Sequence, residues 1–170
     1  ISGAVRPARR CSIAVIGASA RERRMGNVLM RNLLSGQFAG PIMPVNPRRP
    51  SVAGVLTYPS VAALPQTPDL AIVCTPAPLV PRIVEELGER GTRAVMVMAN
   101  QLDTTLGADG RPLERSILEI TRRHEMRLLG GSTLGILVPG LGLNATFTKT
   151  SAAPGNLALV SQSGAMCSAV

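Results

Sequence analysis

The chain is poor in the residues that most catalytic and metal-binding sites need. Among 170 residues there is one histidine, His124, and no tryptophan. A lone histidine is a poor basis for a self-contained Ser-His-Asp site. Cys11, Cys74 and Cys167 are far apart, so with that single histidine they exclude a Cys/His zinc framework. Nor do they form the pattern of a secreted disulfide scaffold. Phe38, Tyr58 and Phe147 are the only aromatics, too few for base-stacking platforms on nucleic acid. No apolar run approaches the roughly 20 residues of a membrane-spanning helix. Arg9-Arg10, the apolar run 13–16 and Ala18-Ser19-Ala20 imitate a signal peptide, but that run is too short for a signal core. A buried first strand is expected there instead.

The chain is 45% hydrophobic and 16% charged, a composition that folds rather than stays disordered. Its length suffices for one ordinary domain, with part of a second. The formal net charge is +8, and 17 of the 18 basic residues are arginine. Such a surface favours a polyanionic partner. With so few aromatics, nucleic acid is disfavoured and a phosphorylated small molecule is preferred. The chain begins at Ile1 and stops at Val170 just after a strand-like run, so it reads as a fragment.

Short apolar runs recur with room for helices between them. Strands are expected at 12–16, 41–45, 70–74, 94–98 and from 127 to 129, with Pro44 weakening the second. Helical spacing appears at 26–34, 80–87 and 113–123, and a short helix is expected at 60–64. Continuous apolar strands alternating with amphipathic helices predict a parallel sheet covered on both faces. The expected fold is therefore α/β, a doubly wound Rossmann-like domain over 12–149 after a lead-in at 1–11. The Gly-rich stretch 135–148 reads as irregular. A linker follows at 150–156. A buried strand at 157–160 then reads as the truncated start of a second, flavodoxin-like α/β domain.

Ligands of such sheets sit beyond the carboxyl ends of the strands. The first end, Gly17-Ala18-Ser19, opens a loop carrying Arg21, Arg23 and Arg24 that closes at Gly26-Asn27. It is not G-x-G-x-x-G, yet its backbone N–H groups with Ser19 suit a pyrophosphate. An ordinary strand-to-helix turn is the plainer alternative. The second end is Asn46-Pro47-Arg48-Arg49, without the acid an NAD site expects. Arginine there suits a ribose-borne phosphate, the 2′-phosphate of NADP or the 3′-phosphate of CoA; a solvated surface pair is the alternative. Pro76 and Pro78 make the third end, Thr75-Pro76-Ala77-Pro78, a rigid apolar loop suited to adenine or pantetheine, or simply a turn into a helix. Ala99-Asn100 and Gly130-Gly131-Ser132-Thr133 are the last two ends.

Taken in order, SIAVIGAS (12–19), PVNP (44–47), PDLAIVCTPAP (68–78), MRLLG (126–130), GLNATF (142–147) and LALVSQSGA (157–165) span nearly the whole chain. This constellation resembles the CoA-binding domain of the NDP-forming acyl-CoA synthetases, relatives of the succinyl-CoA synthetase α subunit. MGNVLMRNLL (25–34) and GLNATF are similar to the branch fused to a GNAT protein lysine acetyltransferase. The resemblance implies binding of CoA or acetyl-CoA. It implies that Gly17, Ala18, Ser19, Gly26 and Asn27 form the phosphate loop, with Asn46 beside it. It implies that Arg49, next to Arg48, faces the 3′-phosphate, and that Met98-Ala99-Asn100 line the CoA pocket. Ser161-Gln162-Ser163-Gly164 resembles the loop that helps hold the family's phosphohistidine. His124 does not match that histidine and is expected to have a plain surface or packing role. The family's Gly-Pro-Asn-Cys or Gly-Pro-Asn-Ser turn is replaced by Gly130-Gly131-Ser132-Thr133. Loss of the proline and the amide side chain suits a sensor or scaffold better than thioester chemistry.

The expected function is thus a CoA- or acyl-CoA-binding module of a larger cytoplasmic protein. That protein is either a regulated acetyltransferase or an ADP-forming acid–CoA ligase. The alternative of another class is an NADP-binding oxidoreductase domain. The expected partners are a CoA thioester, the remainder of the parent chain and possible further copies in a homo-oligomer. No metal and no catalytic residue are expected in the chain itself.

Overall fold

The computed structural model describes residues 11–148 and 151–169. The lead-in over 1–10, positions 149 and 150 and the last residue, 170, lie outside the described residues.

Five parallel strands build the main sheet. In chain order they include β1 (Ile13–Ile16) and β2 (Ile42–Val45). A small antiparallel hairpin, β3 (Ser51–Val52) and β4 (Val55–Leu56), precedes β5 (Leu70–Val73). β6 (Ala94–Val97) and β7 (Arg127–Gly130) complete the sheet, whose spatial order is β2-β1-β5-β6-β7. All four pairings are parallel and in register, with Ile13 beside Ile42 on one side and Leu70 on the other. Counting only the sheet's own strands, the order is 2-1-3-4-5, doubly wound with its reversal between β1 and β5.

The central strands are apolar throughout because both faces are covered. Alternate residues feed two cores. Ala14, Ile16, Ala71, Val73, Val95 and Val97 pack under α2 (Val80–Glu89) and α3 (Leu113–Arg123), which contribute Val84, Leu87 and Ile117. Ile13, Val15, Ile72 and Met96 face the other way, under Leu29, Met30 and Leu33 of α1 (Met25–Ser35). Pro44 is tolerated in β2 because that strand is at the edge. Its carbonyl accepts the Tyr58 N–H at 2.9 Å from outside the sheet, so the missing N–H falls on the open side.

Three expectations are corrected. The stretch 135–148 is not irregular: β8 (Gly135–Val138) and β9 (Leu143–Thr146) form an antiparallel hairpin. Leu143 and Ala145 of β9 complete the second core beside α1. The Asn32 side chain of α1 fixes it by donating to the carbonyls of Thr146 at 2.9 Å and Thr148 at 2.8 Å. Residues 60–64 form turns, not a helix, although Val61 and Leu64 are buried as a helix would bury them. Residues 157–160 are not a buried strand: Leu157 and Val160 are fully exposed and unpaired, for want of a neighbouring strand among the described residues. Among the described residues a short helix, α4 (Gly164–Ala169), follows them. No helix among the described residues is long and apolar enough to cross a membrane.

Candidate functional site

In this strand order a crevice opens beyond the carboxyl ends of the two strands that flank the reversal. Those ends are Gly17, after β1, and Cys74-Thr75, after β5. Gly17 has φ of 87°, and a Cβ on it would come within 3.1 Å of the Cys74 carbonyl and of Thr75 Cγ2. Glycine is therefore required by both conformation and space. Across the loop, α1 starts against the same point. Its first turn carries no side-chain cap and no acid, which leaves its positive end open to an anion.

Two asparagines brace this loop. Asn27, 7% exposed, donates its side-chain amide to the Ser19 carbonyl at 3.1 Å. Asn46, just past β2, donates to the Ala18 carbonyl at 2.7 Å. The Asn46 Oδ1 accepts the N–H groups of Arg48 at 2.8 Å and Arg49 at 3.0 Å, an Asx turn that sets the arginine loop beside the Gly17 loop. Thr57 Oγ1 donates to the Arg49 carbonyl, so the strand pair β3–β4 closes back on the arginines. Ser19 Oγ accepts the Arg21 N–H at 3.1 Å. Arg48 and Arg49 are exposed and belong to no ion pair among the described residues.

The structure thus brings together Gly17, Ala18, Ser19, Gly26, Asn27, Asn46, Arg48 and Arg49. Ala18 is 1% exposed with its methyl in the second core, so it offers the crevice only backbone. Met98 is likewise 1% exposed and packs in that core rather than lining a pocket with its side chain. Ala99 is buried and Asn100 exposed at the end of β6. Pro76 is exposed at the end of β5, ahead of a 3-10 turn. Pro78 borders a separate hollow of about 460 Å³ shared with Arg82, Leu106 and Leu113. The β7 end is tight: a Cβ on Gly130 would lie 2.1 Å from the Val97 carbonyl, and the Ser132 N–H donates to Ala99. Gly130 is therefore required by close backbone approach to β6, whereas a Cβ on Gly131 would meet the Leu102 side chain at 2.8 Å.

The crevice has electrostatics for binding but no evident nucleophile among the described residues. Burial pushes the Cys74 thiol up to about 12, which keeps it neutral. The Thr75 hydroxyl is buried without a partner at the same strand end. Charge is distributed very unevenly along the chain. Residues 1–60 contain nine arginines and one acid, Glu22, whereas residues 61–170 contain nine basic and nine acidic residues. Arg21, Arg23, Arg24, Arg48 and Arg49 of the first group are exposed on the crevice loops. His124 lies at the opposite end of the sheet, capping the tail of α3. It contacts Glu85 at 2.7 Å and packs over Gly88, consistent with a packing role. Sequence reasoning missed the bracing by Asn46 and the β3–β4 pair. The Ala53-Gly54 turn, with φ of 50° and 81°, was the available signal for that hairpin.

Comparison with known proteins agrees with this geometry. The family model described as CoA binding domain matches residues 11–139. Over 158 residues the chain is 39% identical to an ADP-forming acetate–CoA ligase of Archaeoglobus fulgidus, covering 93% of this chain and 23% of the relative. It is 37% identical over 159 residues to the α subunit of an ADP-forming acetate–CoA ligase of Pyrococcus furiosus, covering 91% of this chain and 34% of that one. The chain therefore spans between about a quarter and a third of these relatives. Its fold superposes with a TM-score of 0.83, at 32% identity, on the dinucleotide-forming acetyl-coenzyme A synthetase 1 of Ca. Korarchaeum cryptofilum, solved with phosphate and ADP. That match covers 91% of this chain and 33% of the other. Sequence match, strand order and crevice lead to one conclusion: the chain belongs to the CoA binding domain family, in the form that resembles the corresponding part of ADP-forming acyl-CoA ligases.

Proposed function

We propose that the crevice binds CoA or its acyl thioesters, and that the chain is the CoA-binding part of a larger acyl-CoA-handling protein. The observation that carries this reading is the place of Arg48 and Arg49. They stand where an NAD-binding domain would present an acid to a ribose hydroxyl, and they are fastened beside the Gly17 loop. A ribose-borne phosphate is the group they suit. In this reading the N–H groups of the Gly17 loop and the first turn of α1 hold the pyrophosphate. Arg49, with Arg48 beside it, takes the 3′-phosphate. Pro76 offers a rigid apolar wall, and the backbone at Met98, Ala99 and Asn100 borders the path of the pantetheine. The chain orients and retains the thioester. Acyl transfer is left to groups outside it, because no general base or activated nucleophile faces the crevice among the described residues.

Two parents fit this module. The curated relatives named above are ADP-forming ligases, which supports a ligase parent in the cytoplasm, where acyl-CoA pools lie. The similarity of MGNVLMRNLL and GLNATF to the acetyltransferase-fused branch, with the Gly130-Gly131 replacement, supports a regulatory CoA sensor. Binding serves either parent. The test is calorimetric titration of the chain with CoA, acetyl-CoA, NADPH and a short DNA duplex at low and high salt. The expected result is saturable binding of CoA and acetyl-CoA alone. NADPH bound as tightly as CoA would replace this reading with an oxidoreductase domain.

A further inference from the structure

Ala18 and Ser19 are consecutive, and their carbonyls are held by asparagine amides from two different elements. Asn46 comes from the loop after β2 and Asn27 from α1. A trans peptide is planar, with its N–H opposite its C=O. Fixing the Ala18 and Ser19 carbonyls therefore also fixes the N–H groups of Ser19 and Ala20, which point away from the two amides. Neither N–H donates to any group among the described residues. Oriented backbone N–H groups of this kind are the working parts of an anion cradle. Asn46 also has a second hold. Its Oδ1 takes the N–H groups of Arg48 and Arg49, so one side chain bonds both loops of the crevice.

We propose that Asn46 is a positioning residue that couples the two phosphate-reading parts of the crevice, while Asn27 positions only the first. Asn46 aims the Gly17 loop at the pyrophosphate and in the same geometry sets the arginines at the ribose phosphate. The two phosphate groups are then read as one unit rather than independently. This rests on the reading that the crevice binds CoA. Asn46 was expected from resemblance to lie among the cofactor-binding residues. Its bonds to Ala18, Arg48 and Arg49 give it this positioning role.

The experiment is calorimetry of CoA and dephospho-CoA into the full chain and five variants, each well below its thermal midpoint. Asn27→Ala should weaken both ligands alike, by about tenfold, the worth of a hydrogen bond to a charged group. Asn46→Ala should weaken both by a similar factor and also shrink the preference for CoA over dephospho-CoA at least severalfold. Asn46→Ser separates the two holds. Its hydroxyl still caps the Arg48 N–H as a Ser turn does, but is too short to reach Ala18. It should weaken both ligands and keep the preference. In an Arg48→Ala/Arg49→Ala background, Asn46→Ala should no longer alter the preference. A lowered melting temperature with unchanged affinities in Asn46→Ala would make Asn46 merely structural and overturn the inference. Loss of the preference in Asn46→Ser equal to that in Asn46→Ala would overturn it too. If Asn46→Ala does not fold, Asn46→Ser and Asn27→Ala decide by the same criteria. A wild-type chain that binds no CoA refutes the underlying reading. A wild-type chain that binds while the Asn46 variants match it refutes the coupling alone.

Discussion

A Cβ on Gly26 would stand 2.1 Å from the carbonyl oxygen of Gly17, so the first turn of α1 is in backbone contact with the end of β1. No side chain fits between them, and this contact carries the helix N-terminus up to the crevice. Gly26→Ala is expected to cost about 1–3 kcal/mol by overpacking, a fall of several degrees in thermal midpoint for a chain of this length. It should also weaken CoA binding, because the turn must move away. Gly140, with nothing within 4 Å of its Cβ position, is the control. Gly140→Ala should change stability by less than about 0.5 kcal/mol. Equal midpoints for the two variants would show that the Gly17–Gly26 approach imposes no constraint.

The sheet was legible in the sequence wherever burial on both faces left an uninterrupted apolar run, as at 13–16, 70–73 and 94–97. Other parts needed partners that a linear pattern does not show. Residues 60–64 carry buried Val61 and Leu64 at helical spacing, but with Pro59 before and Pro65 after, the run is too short to nucleate a helix. The β8–β9 hairpin was hidden by its glycines, and its support is the Asn32 amide more than 110 residues away in sequence. Residues 157–160 show the converse: strand-like composition makes no strand without a neighbour to pair with. The loops of the site could be read from glycine and arginine positions. The bond from Asn46 to Ala18 could not, because it joins residues 28 apart through space.

The uneven charge predicts a kinetic signature. With the excess arginine confined to residues 1–60, and Arg21, Arg23, Arg24, Arg48 and Arg49 of that stretch exposed on the crevice loops, CoA should be steered to the site. Raising ionic strength from about 0.01 M to about 0.1 M shortens the screening length from about 30 to about 10 Å. The association rate measured by stopped flow should fall about tenfold or more over that range, with a smaller change in dissociation. A rate independent of salt would mean that the arginines act only on contact.

The contact between α2 and α3 predicts a pH dependence of stability. The hydrogen bond with His124, helped by the Arg123 charge, holds the Glu85 carboxyl below its ordinary 4.5. A carboxyl with a depressed folded value contributes stability that is full above the unfolded value. That contribution is lost as pH falls from about 4.5 through the lower folded value. Glu85→Gln should therefore melt below wild type at neutral pH, and the gap should close on acidification below about 4.5. Thermal midpoints between neutral pH and pH about 3 measure it. A gap that stays constant across that range would remove Glu85 ionisation from the account.

The preference of the crevice for CoA over dephospho-CoA tests the account most directly, because the two ligands differ only in the 3′-phosphate assigned to Arg48 and Arg49. A charge-assisted hydrogen bond is worth about 1.5–3 kcal/mol, or about 10- to 150-fold in affinity. Dissociation constants for both ligands, measured on wild type and on Arg48→Ala/Arg49→Ala, should show a wild-type preference of that order. In the variant that preference should disappear through weaker CoA binding, while dephospho-CoA binds almost as before. Equal losses for both ligands, or a wild-type chain that does not distinguish them, would contradict the assignment of these arginines to the ribose phosphate.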